Sequence, residues 1–212
     1  MIIAFDVDGT LLDTYEHIRA TYIKVFNKYL PEYKYTEEEI KSFFGPPLPD
    51  TFNSIVHDDN LTEFLCDRYR DISKSIIKEY LKVYPGTHEV LNLLKKEGYK
   101  LAVVSNKQKS AILDGFKVVG LDNVFDLIIG YDSVVNPKPD PEGIRKIEKH
   151  YNDKCILVGD SLFDIETAKN ANIKSIGVTF ALTTKQQLLD VGADMVIDSF
   201  EELISAIKEL EK

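Results

Sequence analysis

The chain opens MIIAFDVDGTLLD, an apolar run ending in two carboxylates, Asp6 and Asp8, followed by Gly9 and Thr10. Side chains two apart on a strand point the same way, so Asp6 and Asp8 share one face at the strand's end. Held close, each raises the other's pKa, an arrangement that makes sense where a cation or a reaction uses the pair. Three further signals end predicted strands or follow them closely: Ser105 with Asn106 after LAVV, Lys138 in NPKPDPEGI, and Asp160 with Asp164 in GDSLFD. Together they supply two carboxylate pairs, one ammonium, and small hydroxyl and amide donors. Carboxylate pairs with open coordination suit Mg²⁺, which takes oxygen ligands and shares them with a substrate phosphate. Lys138, Ser105 and backbone amides at strand ends and helix starts can hold phosphate oxygens. This is equipment for phosphoryl transfer, where positioning and charge neutralisation dominate.

Each fragment alone has a plainer reading. DVDG can be a turn, Lys138 a solvated loop lysine, Asp164 a charge on a helix surface, and Ser105 and Asn106 an N-cap for the next helix. The four occurring in order on one framework favour the chemical reading.

That framework is legible as alternation. Short apolar runs at MIIAF, YKLAVVS, DLIIG, KCILVGD, KSIGVT and DMVID are separated by segments such as PEGIRKIEKHY and LFDIETAKNAN with apolar residues at helical spacing. Alternating strand and helix predicts an α/β fold, a doubly wound parallel sheet covered on both faces, with ligands at the carboxyl ends of the strands. From about residue 14 to 84 the rhythm stops. Ile18, Tyr22, Val25, Phe26 and Tyr29 form one helical stripe, and Leu65, Tyr69, Ile72, Ile76 and Tyr80 another. Thr36 and Glu39 read as a capping box. Residues 14–84 are therefore expected to be an inserted α-helical domain, and residues 1–13 with 85–212 the α/β core, re-entered at Pro85 and Gly86.

The 212 residues suffice for a buried core. A formal net charge of -9 without a basic stripe argues against a nucleic-acid or anionic-membrane surface. No apolar run reaches about 18 residues, so no membrane span is expected, and the opening strand leaves no room for a signal peptide; a cytoplasmic protein is the expectation. Cys66 and Cys155 match neither a metal spacing nor a disulfide framework and read as reduced core thiols.

DVDGT, the strand-terminal SN, KPDP and GDSLFD, in that order, resemble the four motifs of the haloacid dehalogenase superfamily of phosphohydrolases, and the helical insert after the first is similar to its C1 cap. The resemblance covers essentially the whole chain, and implies a Rossmann-like core. FFGPPLPDTF and the C-terminal GVTFALTTKQQLLDVGADMVIDSFEEL resemble the branch containing phosphoglycolate phosphatases and related inorganic pyrophosphatases. The resemblance implies that Asp6 is the nucleophile, forming an aspartyl-phosphate. Asp8 would act as acid and then base. Mg²⁺ would be held by Asp6, the backbone carbonyl of Asp8 and Asp160, with Asp164 in the outer shell or ordering Lys138. Thr10, Ser105, Asn106 and Lys138 would serve the phosphate, Thr10 also buttressing its loop, and Gly9 would permit the tight path. Phe44, Gly45 and Pro46 are candidates for a cap loop that reads the substrate.

Of the histidines, His17 lies nearest the first motif, with a surface role expected. Lys107 and Lys109 follow Ser105 closely and could add positive potential near the site, with solvation the default expectation. The implied function is Mg²⁺-dependent hydrolysis of a small phosphorylated metabolite by a monomer or homodimer, 2-phosphoglycolate first and pyrophosphate next. A sugar phosphomutase and a non-catalytic phosphate-binding protein are the other classes the motifs leave open.

Overall fold

In the computed structural model, which describes residues 1–212, six parallel strands form one sheet. They are β1 (Ile2–Phe5), β4 (Lys100–Val104), β5 (Leu127–Ile129), β6 (Cys155–Gly159), β7 (Lys174–Val178) and β8 (Met195–Ile197). Their order is β5-β4-β1-β6-β7-β8. All six apolar runs read from the sequence are these strands, and the fold is the expected doubly wound α/β sheet. β1 lies at the centre, with Ala4 opposite Ala102 on one side and Leu157 on the other. Flanked by strands and covered on both faces, it must be apolar throughout, which explains why IIAF shows no alternation.

Successive side chains of β1 enter different cores. Ile3 and Phe5 pack with α5 (Thr87–Lys96), α6 (Lys109–Val119) and α10 (Leu203–Leu210) through Leu94, Phe116 and Ile207. Ile2 and Ala4 face α7 (Glu142–Tyr151) and α8 (Leu162–Ala171) through Ile144, Ile147 and Ala168. A short helix, α9 (Lys185–Asp190), precedes the edge strand β8.

Between β1 and α5 lie four helices, α1 (Tyr15–Tyr29), α2 (Glu37–Ser42), α3 (Leu48–Val56) and α4 (Asp59–Tyr80). They enclose a separate apolar cluster centred on Tyr22, Phe26, Phe52 and Leu65. The Tyr22 ring lies 4.9 Å from Phe43 and 4.8 Å from Tyr69, centroid to centroid, within the range in which aromatic pairs attract beyond their buried area. The first predicted stripe faces this cluster throughout and the second does so through Leu65, Tyr69 and Ile72, while Ile76 and Tyr80 lie outside it. Thr36 caps α2 by accepting from the Glu39 amide at 3.1 Å. The reciprocal half of the capping box is absent, because the Glu39 carboxylate takes the Tyr33 hydroxyl instead.

An antiparallel ribbon joins this helical unit to the sheet: β2 (Leu12–Asp13) pairs with β3 (Lys82–Val83). Two-residue strands carry no periodicity, so no pattern in the sequence signals this pairing. Cys66 and Cys155 are free and buried, and burial pushes their thiols up, to about 11 and about 12. No helix is long and apolar enough to cross a membrane.

Candidate active site

The four sequence signals converge at the carboxyl ends of β1, β4 and β6. Asp6 stays registered to the sheet, its amide donating to the Val158 carbonyl at 2.9 Å. The chain then turns back sharply: the amides of Leu11 and Leu12 both donate to the Val7 carbonyl, at 3.0 and 2.9 Å. Gly9 has φ of 80° here, and a Cβ on it would stand 2.3 Å from Asp160 Oδ2. Both facts require glycine. At the end of β4 the Ser105 amide donates to Ile129 at 3.0 Å, which aims the Ser105 hydroxyl at the Asp6 carboxylate.

Asp160 follows β6 directly, and Asp164 sits in the first turn of α8. Ser161 and Asp164 cap one another: Asp164 Oδ2 accepts from the Ser161 amide at 3.0 Å and from its hydroxyl at 2.6 Å, while Ser161 Oγ accepts from the Asp164 amide. The spacing of this reciprocal cap is the S-x-x-D within GDSLFD, a local signal that points to Ser161 as well as Asp164.

Lys138 is the hub. Its Nζ lies 2.5 Å from Asp164 Oδ1 and 2.9 Å from Asp6 Oδ1. Asp6, Asp160 and Asp164 each offer a carboxylate oxygen, all within 4.8 Å of one another. Three buried carboxylates therefore face one buried ammonium. Burial pushes the Asp6 carboxyl up to about 6 against the downward pull of Lys138. Burial, reinforced by Asp164 and Asp6, raises Asp160 well above the usual range. Burial alone would lower Lys138, but the carboxylates of Asp164 and Asp6 prevail and hold it above its ordinary value. A divalent cation at this trio would relieve the excess of negative charge. The donor set, all oxygen, suits Mg²⁺.

The Asp8 carboxylate stands outside this trio. Lys107 Nζ binds both of its oxygens, at 2.7 and 3.0 Å, which corrects the expectation of a solvated Lys107. Lys109 is exposed, and its amide is capped by Asp132. His17 is also corrected: it is 2% exposed, with Nε2 bound to the Ser73 carbonyl at 3.0 Å. A carbonyl can only accept, so Nε2 carries the proton and Nδ1, buried without a partner, is a bare acceptor. Burial lowers the pKa of His17, against the upward pull of its hydrogen bond to Ser73.

Two other side chains are placed differently from expectation. Thr10 does not face a phosphate: its hydroxyl donates to Asp160 Oδ1 at 3.0 Å, so it buttresses a carboxylate. Asn106 is not an N-cap, since α6 begins after Gln108, and both ends of its side chain are occupied by backbone. Its Nδ2 donates to Gly45 O at 2.9 Å and to Lys138 O at 3.1 Å, and its Oδ1 accepts from the Lys138 amide at 2.9 Å. Asp164, read as a possible surface charge, is fully buried.

Above these groups lies a cavity of about 440 Å³, roofed by Phe43, Phe44, Gly45, Pro46 and Leu48 from the helical unit. Phe44 stacks on Tyr15 with centroids 5.1 Å apart. Gly45, with φ of 101°, lies against the Phe163 ring. The loop expected to read substrate thus lines the same space as Asp6, Asp8, Ser105 and Lys138.

Residues 3–178 match the family of haloacid dehalogenase-like hydrolases. A pyrophosphatase PpaX from Listeria monocytogenes serotype 4b is 35% identical over 212 residues, covering 98% of this chain and 96% of its own. A pyrophosphatase PpaX from Bacillus velezensis is 33% identical, covering 95% and 94%. Among solved structures, a predicted phosphatase from Clostridium acetobutylicum superposes with a TM-score of 0.86 at 30% identity, covering 99% of this chain and 98% of that one. The chain belongs to the haloacid dehalogenase-like hydrolase family and is a phosphatase-type enzyme.

Proposed function

We propose that this haloacid dehalogenase-like hydrolase is a Mg²⁺-dependent phosphatase of small phosphorylated metabolites, working through an aspartyl-phosphate on Asp6. Inorganic pyrophosphate is its leading substrate and 2-phosphoglycolate its second. The observation that carries the chemistry is the placement of Lys138 between Asp6 and Asp164, beside Asp160 and under a cavity. Sequence alone favoured 2-phosphoglycolate; the relatives named pyrophosphatases, at 35% and 33% identity over nearly the whole chain, reverse that order.

The helical unit, residues 14–84, acts as the cap over the α/β core. Asp6, Asp160 and the Asp8 backbone carbonyl would hold the metal, with Asp164 ordering Lys138. Mg²⁺ supplies positive charge that neutralises phosphoryl oxygens as the Asp6 anion approaches them. Ser105 and Lys138 hold the phosphoryl group beside Asp6. An Asp6 carboxylate oxygen attacks phosphorus, the bond from phosphorus to the leaving oxygen breaks, and Asp8 delivers its proton to that oxygen. Asp8, now anionic, takes a proton from a water that attacks the same phosphorus, releasing orthophosphate and restoring Asp6. The cap loop at Phe44 to Pro46 excludes bulk water around these steps.

The test is phosphate release from pyrophosphate, 2-phosphoglycolate, sugar phosphates and nucleoside monophosphates, with Mg²⁺ and with chelator, using Asp6→Asn as the control. Metal-dependent release led by pyrophosphate, and abolished in D6N, supports the reading. Substantial turnover by D6N would overturn the covalent mechanism, and a lead for a sugar phosphate would overturn the substrate order.

A further inference from the structure

The cavity walls carry five basic side chains besides His17: Lys41, Arg70, Lys74, Lys107 and Lys138. Lys138 belongs to the phosphoryl site. Lys41, Arg70 and Lys74 pair with Glu38, Asp67 and Asp114 at 2.6, 2.8 and 3.0 Å, acids with no part in the reaction. Lys107 alone of these four pairs with a reacting group, Asp8. Its side chain is 18% exposed, against 40, 39 and 72% for Lys41, Arg70 and Lys74. Its charge is therefore the least screened of the four.

Its position follows from the chain. Lys107 lies two residues beyond Ser105, which reaches Asp6, and its amide donates to Ser105 Oγ at 3.3 Å. The turn that positions the phosphoryl-holding hydroxyl thus also delivers an ammonium to Asp8, on the leaving-group side. An anion carried by the leaving group would come to lie beside Asp8, within reach of the one of these four cations that is paired with a reacting group. Resting on the function proposed above, we infer that Lys107 is the receptor for an anionic leaving group, selecting substrates whose departing half bears a second phosphate or a carboxylate.

In the free protein Lys107 neutralises Asp8. With such a substrate bound, Asp8 carries the proton that it delivers, and the ammonium it no longer needs makes a charge-assisted hydrogen bond to the second anion. A leaving group without charge gains nothing from it. Pyrophosphate and 2-phosphoglycolate belong to the favoured class, and phenyl phosphate to the other.

The experiment compares pyrophosphate with phenyl phosphate in the wild type, Lys107→Met, Lys107→Gln and Lys107→Arg. Removing the charge should lower kcat/KM for pyrophosphate at least about tenfold more than for phenyl phosphate, chiefly through KM, with K107R recovering much of the difference. A second arm reads binding alone: calorimetry of pyrophosphate and of orthophosphate in D6N and in D6N/K107M. The double variant should bind pyrophosphate about tenfold more weakly, about 1.4 kcal/mol, and orthophosphate within about threefold of D6N. Equal losses on both substrates, with pyrophosphate binding unchanged in the D6N background, would overturn the inference and leave the phosphatase reading intact. If the wild type releases phosphate from neither substrate, the phosphatase reading fails, and the binding arm still decides the role of Lys107.

Discussion

Asn106 donates its side-chain amide to the Gly45 carbonyl at 2.9 Å, fastening the loop between α2 and α3 to the end of β4. The same side chain holds both the amide and the carbonyl of Lys138. One residue therefore ties the roof of the cavity to the backbone of the lysine beneath it. Asn106→Ala should lower kcat/KM for every substrate by roughly 10- to 100-fold, the loss expected for three hydrogen bonds of about 1 kcal/mol each with partial compensation by water. Steady-state kinetics would check this, with amide hydrogen exchange at residues 43–47 rising in parallel. Unchanged exchange beside a kinetic loss would assign the effect to Lys138 alone.

Thr10 offers a second test. Its hydroxyl is the hydrogen-bond donor to Asp160 Oδ1. Partners that orient a metal-binding carboxylate typically contribute 10- to 100-fold in metal affinity or activity. Thr10→Val should raise the Mg²⁺ concentration for half-maximal activity by about tenfold, while Thr10→Ser, which keeps the hydroxyl, should stay near the wild type. A fall in maximal rate at saturating Mg²⁺ with no change in that midpoint would refute the buttressing role.

How far the sequence revealed these relationships depended on the kind of signal. The strands were legible because buried parallel strands must be continuously apolar, and Asp6, Lys138 and Asp160 because their types and places complement one another. The partners of Lys107 and His17 are not legible in the sequence, because solvation is the usual state of a lone lysine or histidine. What overrides it here is contact across the chain, with Asp8 and Ser73, 99 and 56 residues distant. The side-chain partners of Asn106 are not legible in the sequence, since a side-chain amide serves a phosphate, a helix or a loop equally well. The β2–β3 ribbon left no trace, since pairing Leu12 with Val83 is a property of where the helical unit begins and ends. Ser161 carries a purely local signal, its S-x-x-D spacing from Asp164.

The buried carboxylates make the stability of the metal-free protein depend on pH in a definite direction. The Asp6 pKa is raised from 3.8 to about 6 by burial, so the native state binds the proton more tightly than the unfolded chain. Its contribution is therefore favourable below pH 4, is lost as pH rises from about 4 to 6, and stays lost above. At pH 7.5 this corresponds to a destabilisation on the order of 2–3 kcal/mol, to which Asp160, raised in the same direction, adds. Asp6→Asn should accordingly raise the melting temperature in chelator at pH 7.5 and do so less at pH 5. Mg²⁺ should stabilise the wild type most at the higher pH, where protons no longer compete for the carboxylates. Thermal unfolding at the two pH values, with and without Mg²⁺, gives all these differences; a D6N protein less stable than wild type in chelator at pH 7.5 would contradict the charge imbalance.

Gly159 sets the last prediction, because it has no latitude. Its backbone is held in β6 opposite Gly177, and a Cβ there would stand 2.2 Å from Asp164 Cγ. Asp164 cannot withdraw toward solvent, being fully buried and bonded to both Lys138 and Ser161. Gly159→Ala must then displace the carboxylate, and Lys138 loses its 2.5 Å partner. Activity should fall at least about 100-fold, the scale of a lost catalytic electrostatic contact. Stability should fall by about 1–3 kcal/mol, the usual cost of overpacking. Gly98→Ala is the matched control: its φ is 90°, yet no atom lies within 4 Å of an added Cβ, and it is remote from the site. That variant should lose about 1 kcal/mol through backbone strain alone and retain full activity. The ratio of activity lost to stability lost, measured for both by kinetics and denaturant titration, separates displacement of Asp164 from general weakening; similar ratios would show that Gly159 serves the fold and not the site.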